Sequence, residues 1–540
     1  MTDLALMTIA EASRLIRARK LSPVELTAAL LARIAALDGV YHAYIAVTAE
    51  TALAQAKAAE AEIAAGAWRG PLHGVPYALK DIFDVAGMAT TCHSKLRMNH
   101  RAAADATVVT RLREAGAVLL GKLALHEFAT GGPTRELPWP AALNPWNLDL
   151  HPGGSSSGSA VAVATGLAPG ALGTDTGGSV RNPATCCGIV GMKPTYGLVS
   201  RAGVFPLSFS LDHVGPLTRT VEDNAILLSA IAGHNPADRS SAARPLADCM
   251  ENLHAGVKGL RIGVIAHFYT EDLIGSPEQV AAITAAADVL RRLGAEVRPV
   301  RLPPLARWTD CGRTIHFAEA YAVHERDLQQ RPEDYAEATR RKLLPGAFIP
   351  ASDYVKAQQL RAALCREFAE AMKAFDAVIT LSSLDLPCRL DDLDTVAKTY
   401  ERQCRMPFNV TGTPAISVPT GFTAAGLPLA MQIVGRAFAE PMVYRIAQAY
   451  CDADPVRRAA PTGHAASRSE PRVTPAAAAG HCMAAMRQIG RIKARSASRR
   501  EFSSGSRRKR LQRVRYSCSV PNYKRRAVFK KPIAGALIYY

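Results

Sequence analysis

The stretch PEQVAAITAAADVLRRLG (277–294) runs directly into AEVRPV (295–300), a helix closed by Gly294 and followed by a strand. The same order recurs along the chain. DATVVTRLREAG (105–116) precedes an apolar run at 118–120, and FAEAMKAF (368–375) leads into DAVITL (376–381). Further strands are expected at 415–418 and 429–434, and a closing helix over 440–451. Residues 8–65 are rich in Ala and Leu with helical spacing. Within them Ser22-Pro23-Val24-Glu25 supplies an N-cap, a proline at the first helical position and an acidic first turn. Helix followed by strand, repeated, predicts an α/β layered fold around a mostly buried sheet.

Composition limits what such a fold can be for. The chain has 540 residues, 48% hydrophobic and 21% charged, as large water-soluble globular proteins have. The net charge of +18 suggests a nucleic-acid binder until it is located. Residues 1–455 hold 44 Lys+Arg against 45 Asp+Glu, whereas residues 456–540 hold 21 against 2. The body is therefore neutral and the tail basic. Clusters such as Arg507–Arg510 and Lys524–Arg526 would attract phosphates. The tail lacks apolar periodicity and reads as a disordered or non-native extension, with a basic arm as the alternative. No apolar run is long enough to span a membrane, and the N-terminus does not read as a secretory signal. Eleven scattered cysteines without a CxxC pair, and fourteen histidines without ligand spacing, point to a cytoplasmic, metal-independent protein.

Two glycine-rich stretches imitate familiar motifs and fail on context. Gly116 to Leu123 nearly matches a phosphate-binding loop, but Leu123 stands where a magnesium-binding hydroxyl belongs, so a strand ending in a tight turn is expected. Gly154-Ser-Ser156-Ser-Gly158 matches a nucleophile elbow, but loop rather than strand precedes it.

A third set has no such defect. GGSSSGS (153–159) is followed by a short Ala/Val helix and then by GTDTGGSVR (173–181), with GVPYALKD (74–81) upstream. With GIVGMKPTYGLVSR (188–201), SLDHVGPLTRTVEDNA (210–225) and GTPAISVPTGF (412–422), this closely resembles the amidase signature family from about residue 8 to 452. The resemblance implies one large central mixed β-sheet covered by helices on both faces. It implies a single catalytic domain over 1–455, including the helical segment 8–65, with 456–540 as an appendage. It places the family's triad on Ser179 as nucleophile, Ser155 as bridging serine after a cis peptide, and Lys80 as base. The oxyanion hole falls on the N–H groups of Thr176, Gly177, Gly178 and Ser179.

The chemistry explains these residue types. A serine hydroxyl needs a base, and none of the three motifs contains histidine. A solvated lysine, with pKa about 10.4, is protonated at neutral pH. Burial beside Ala78, Leu79 and Ile82 would lower it toward about 7–8, where it can accept a proton. Asp175 and Arg181 flank the nucleophile as an orienting pair or an ordinary ion pair. Ser156 and Ser157 are loop supports, His126 and His213 structural or pocket-lining, and Cys187 an inert core thiol.

The activity implied is hydrolysis of linear carboxylic amides to acid and ammonia through an acyl-enzyme. The alternative is the A subunit of a tRNA-dependent amidotransferase, releasing ammonia from glutamine beside partner subunits. MKPTYGLVSR is similar to both groups, and FPLSFSLDHVG (205–215) looks more like the stand-alone amidases, which are favoured. The expected partner is a small-molecule amide, with room for a homo-oligomer, no cofactor, no metal and no membrane. Nucleic acid enters only if the tail is genuine. The resemblance assigns the acyl pocket largely to about residues 300–410, where Phe317, Tyr321, Tyr354 and Tyr400 are candidate pocket aromatics but core packing is the favoured reading.

Overall fold

The computed structural model describes residues 3–453 except 135 and 246. The expectations for residues 456–540 lie outside the described residues. Eleven strands form one sheet: β1 Tyr44–Val47, β2 Pro76–Lys80, β3 Val118–Leu123, β4 Gly170–Asp175, β5 Val190–Lys193, β6 His213–Thr218, β7 Arg261–Val264, β8 Glu296–Pro299, β9 Ala377–Leu381, β10 Ala415–Phe422 and β11 Pro428–Val434. Their spatial order is β1-β3-β2-β4-β6-β5-β10-β11-β9-β7-β8. Parallel pairs (β3-β2, β2-β4, β9-β7, β7-β8) occur beside antiparallel ones, so the sheet is mixed.

Successive side chains on a strand point to opposite faces. Every residue of β2, β3, β4, β6 and β11 is nevertheless buried, so both faces of the central sheet are covered. The helices Ser157–Ala164 and Arg181–Cys187 pack on the middle strands, and Pro277–Arg292 and Glu440–Ala453 on β10 and β11. The rim strands β1 and β8 show exposed residues at one end or at most positions. Among the described residues no helix is long and apolar enough to cross a membrane.

The helix–strand alternation falls where the sequence puts it. Helix Pro277–Arg292 precedes β8, helix Thr107–Glu114 precedes β3, and helix Ala351–Ala371 precedes β9. Ser22 Oγ accepts the N–H groups of Val24 and Glu25 at 3.0 and 3.3 Å, and Pro23 opens the helix Pro23–Tyr41. Two expectations are corrected. Segment 8–65 is not wholly helical: Tyr44-Ile-Ala-Val, aromatic and β-branched, forms edge strand β1 against β3. Nor does 116–123 end in a turn, because β3 continues through Gly121 and Lys122. Gly121 takes φ +155°, where a Cβ would overlap the Ala46 carbonyl, which lets β1 pair closely there.

Candidate active site

The parallel neighbours β2 and β4 end side by side, with Ala78 opposite Ala171 and Leu79 opposite Leu172. Loops beyond the carboxyl ends of parallel strands are where open α/β sheets assemble sites. Lys80 is the last residue of β2, Thr174 lies near the end of β4, and Ser179 follows in the loop that enters helix Arg181–Cys187. Ser155 lies just before helix Ser157–Ala164, after a cis Gly154–Ser155 peptide.

Lys80 Nζ lies 2.8 Å from Ser155 Oγ and 2.7 Å from Thr174 Oγ1. Its side chain is fully buried. Desolvation lowers its pKa from 10.5 to about 7, against the opposing pull of the Asp212 and Asp175 carboxylates. A lysine so placed is half neutral near pH 7 and can hold or release a proton at Ser155. Thr174, the second hydroxyl on the ammonium, is not among the residues the sequence singles out. Its only signal there is its position five residues before Ser179 on a strand.

The two serine-bearing turns touch, since Ser156 N–H donates to the Ser179 carbonyl at 3.2 Å. Ser155 is 2% exposed, whereas Ser179 is only partly buried. Ser156 Oγ bridges to the Thr174 backbone, donating to its carbonyl at 3.2 Å and accepting its N–H at 3.3 Å. That is the supporting part expected of it.

Asp175 fixes the loop that carries Ser179. It accepts Arg181 Nε and Nη2, both at 3.0 Å, Asn409 Nδ2 at 2.8 Å, and the backbone N–H groups of Gly178 at 2.8 Å and Val180 at 3.2 Å. Both members of the pair are completely buried. Burial pushes the Asp175 carboxyl up, and the Arg181 guanidinium with its hydrogen bonds outweighs that and holds it below the usual carboxylate range. Ion pair and orienting group are one arrangement here. Arg181 in turn reaches Gln432 Oε1 at 3.0 Å and Asn409 Oδ1 at 2.6 Å, tying the loop to the opposite half of the sheet.

The N–H groups of the expected oxyanion set differ in their engagement. The Gly178 N–H is already engaged by Asp175. Those of Thr176, Gly177 and Ser179 have no hydrogen-bond partner among the described residues. Gly178 has φ +124°, and a Cβ there would overlap the buried Arg405 side chain.

The flanking histidines differ in role. His213 lies opposite Asp175 in the β4–β6 ladder, with Nδ1 at 2.7 Å from the Leu211 carbonyl and 3.2 Å from that of Asp175. Two carbonyl partners require a proton on Nδ1, which leaves Nε2 as a buried acceptor without a partner. Burial drives its pKa well below 6.5, so the ring is neutral. The His126 ring occupies the space a Gly154 side chain would need, and it packs near His151 and Tyr400. Cys187 is buried with Sγ 3.4 Å from the Pro152 carbonyl, and burial raises its pKa well above the ordinary thiol value. Lys122, the lysine of the loop-like stretch, pairs with Asp81 at 2.6 Å in the interior.

A cavity of about 250 Å³ opens beside Thr174 and Thr176. Segment 201–214 supplies most of its wall, with Ile82 and Ala129 opposite. No residue of 300–410 lines it, whereas Arg389, Leu390 and Leu393 line a separate cavity of about 790 Å³. The four candidate aromatics of 300–410 serve packing, the reading favoured for them from the sequence. Tyr354 Oη donates to Glu319 at 2.8 Å, Arg313 stacks on Phe317, Tyr321 packs against the core, and Tyr400 packs against His126 and His151. Glu319 carries no motif in the sequence. It accepts Ser208 Oγ at 2.5 Å and Ser210 Oγ at 2.7 Å, and so anchors the cavity wall to helix Leu305–Gln330.

The Amidase family model matches residues 25–444, most of the chain and all of the site just described. The chain belongs to the amidase signature family. It is 41% identical over 475 residues to the glutamyl-tRNA(Gln) amidotransferase A subunit of Roseiflexus sp. (strain RS-1), covering 83% of this chain and 97% of that one. Among solved structures it is similar to the corresponding protein from Thermotoga maritima, with a TM-score of 0.70 and 35% identity over 83% of this chain and 95% of that one. It is also similar to native peptide amidase from Stenotrophomonas maltophilia, with a TM-score of 0.74 and 33% identity over 85% and 99%. Amidase family membership makes the chain an enzyme acting on amide C–N bonds.

Proposed function

We propose that this amidase hydrolyses linear carboxamides through an acyl-enzyme on Ser179. The supporting observation is the buried Lys80 held 2.8 Å from Ser155 Oγ with its pKa lowered to about 7. Neutral Lys80 takes the Ser155 proton as Ser155 takes that of Ser179, and Ser179 Oγ attacks the amide carbon. The tetrahedral oxyanion meets the N–H groups of Thr176, Gly177 and Ser179, each such donor typically contributing about 3–4 kcal/mol. The proton returns through Ser155 to the leaving nitrogen, ammonia departs, and water cleaves the ester to acid and free Ser179. On this reading residues 1–455 are the catalytic unit, acting in the cytoplasm without a cofactor, and 456–540 are dispensable. Ammonia release by the purified chain tests it: Ser179→Ala is expected to lose several orders of magnitude, and full activity in that variant would refute it.

A second reading has specific support. The Roseiflexus protein is matched over 97% of its length, at higher identity than the peptide amidase. These relatives favour the amidotransferase alternative over the stand-alone enzyme that segment 205–215 suggests. In that role the same serine would release ammonia from glutamine while partner subunits hold the misacylated tRNA. Glutaminase activity that appears only when partner subunits are added would establish it.

A further inference from the structure

The cavity beside Thr174 and Thr176 has a chemistry that selects among amides. Its floor is Thr174, whose hydroxyl lies 2.7 Å from Lys80 Nζ, and Thr176, whose N–H has no partner among the described residues. The cavity adjoins the site through these two residues, since Thr174 touches Lys80 and Thr176 stands three residues before Ser179 in the same loop. Apolar side chains make most of the wall, among them Ile82, Val204, Phe205, Leu207, Phe209 and Val214. Phe209 is 55% exposed, and Arg97 stacks on Phe205 at 4.8 Å.

The charged groups on the wall are Asp212, Asp238, Arg201 and Arg239, a formal balance of zero. Three of them are engaged within the protein. Asp212 accepts Thr176 Oγ1 at 2.6 Å and the N–H groups of Leu207 and Ser208 at 2.9 and 3.0 Å. Asp238 accepts Arg201 N–H at 2.7 Å and Ser240 N–H and Oγ at 2.9 and 2.6 Å. Arg201 lies over the Tyr196 ring and donates to Tyr196 Oη at 2.9 Å, Ser240 Oγ at 2.5 Å and the Phe209 carbonyl. Arg239 is exposed. Among the described residues, the buried polar atoms of this wall left without partners are one donor, Arg201 Nε, and one acceptor, neutral His213 Nε2.

We infer that this cavity receives the acyl group of the substrate and selects a neutral, apolar amide of aryl or branched-alkyl size. A zwitterionic amide such as glutamine needs an acceptor for its ammonium and a donor for its carboxylate. Here the carboxylates are saturated and no opposite charges stand free as a pair. Desolvating the zwitterion against this wall is unfavourable, while an aryl group gains by leaving water. The inference rests on the amide-hydrolase reading and separates its two forms.

The test is ammonia release by the full chain from phenylacetamide, acetamide and L-glutamine. Phenylacetamide is expected to exceed acetamide by about 10- to 100-fold in kcat/KM, the range for burying one large apolar group, and to exceed glutamine by at least as much. Val204→Trp, which fills the cavity, is expected to cut the phenylacetamide-to-acetamide ratio at least tenfold. Phe209→Ala, at a half-exposed position that folding tolerates, is expected to lower the same ratio several-fold. Glutamine turned over faster than phenylacetamide, or a ratio indifferent to both substitutions in folded protein, overturns the inference and leaves amide hydrolysis standing. Failure to hydrolyse any of the three, with no labelling of Ser179 by a fluorophosphonate, overturns the hydrolase reading beneath it.

Discussion

If Lys80 is the base, as proposed, it is expected to set the acid side of the pH–rate profile. The group ordinarily titrates at 10.5 and is brought to about 7 by complete burial in β2. That lowering corresponds to roughly 5 kcal/mol disfavouring the ammonium. With the base half neutral near pH 7, kcat/KM at pH 6 should be about one-tenth of its plateau. Unshifted, the same lysine would be neutral in about one molecule in three thousand at pH 7, and activity would climb to about pH 10. His126 and His213, both pushed well below 6.5 by burial, would place a limb far lower. Stability carries the same signature. The folded pKa lies below the unfolded one, so the unfolded state binds more protons between about pH 7 and 10.5, and stability rises with pH there by up to about 1.4 kcal/mol per unit. Below about pH 7 the full cost is in place and the slope vanishes. Lys80→Met removes the titration, so the stability of wild type relative to the variant should grow by about 1.4 kcal/mol between about pH 8 and 9. The assays are kcat/KM for a neutral amide from about pH 5 to 9.5, and urea unfolding at about pH 6, 8 and 9. An acid limb near about 5 or near about 10, or parallel stability curves, would refute the assignment.

Other consequences follow from the same geometry. Asp175→Ala leaves the fully buried Arg181 guanidinium without its counter-ion, a loss expected to destabilise by about 3–5 kcal/mol, and it frees the Ser179 loop; unfolding midpoints check the first effect and kcat the second. Gly121→Ala drives a methyl group into the Ala46 carbonyl at φ +155°, so it should detach edge strand β1 and raise amide hydrogen exchange across 44–47 while leaving β4 protected.

The parts of this protein legible in its sequence are those built from local signals. The helix ending before β8, the Ser22 cap and the apolar runs of β9 and β11 each carry their pattern within a few residues. The two serine loops stand out because their motifs are short and dense in glycine, whereas Lys80, in a stretch with one glycine, is singled out only by the resemblance to the amidase signature family. What the sequence hides depends on pairing across the chain. β1 is four residues inside a helical region, and only its partner β3 makes it a strand. Thr174 reaches Lys80 because β2 and β4 are neighbours, although the two residues are 94 apart in sequence. The Asp175 bond to Gly178 N–H, which engages one expected oxyanion donor, is a matter of side-chain direction that spacing does not encode. The cavity wall at 201–214 escapes a sequence reading because its apolar residues sit in a loop held by Asp212 and Glu319 rather than in a periodic element.

The central claim is that Ser179 carries the acyl group. Incubating the enzyme with an amide or activated ester, quenching in acid, and mapping the adduct by mass spectrometry tests it most directly. The account predicts an acyl mass on the peptide containing Ser179, lost on treatment with hydroxylamine and absent from Ser179→Ala. An adduct on Ser155, Ser156 or Cys187, or sustained turnover by Ser179→Ala, would contradict it.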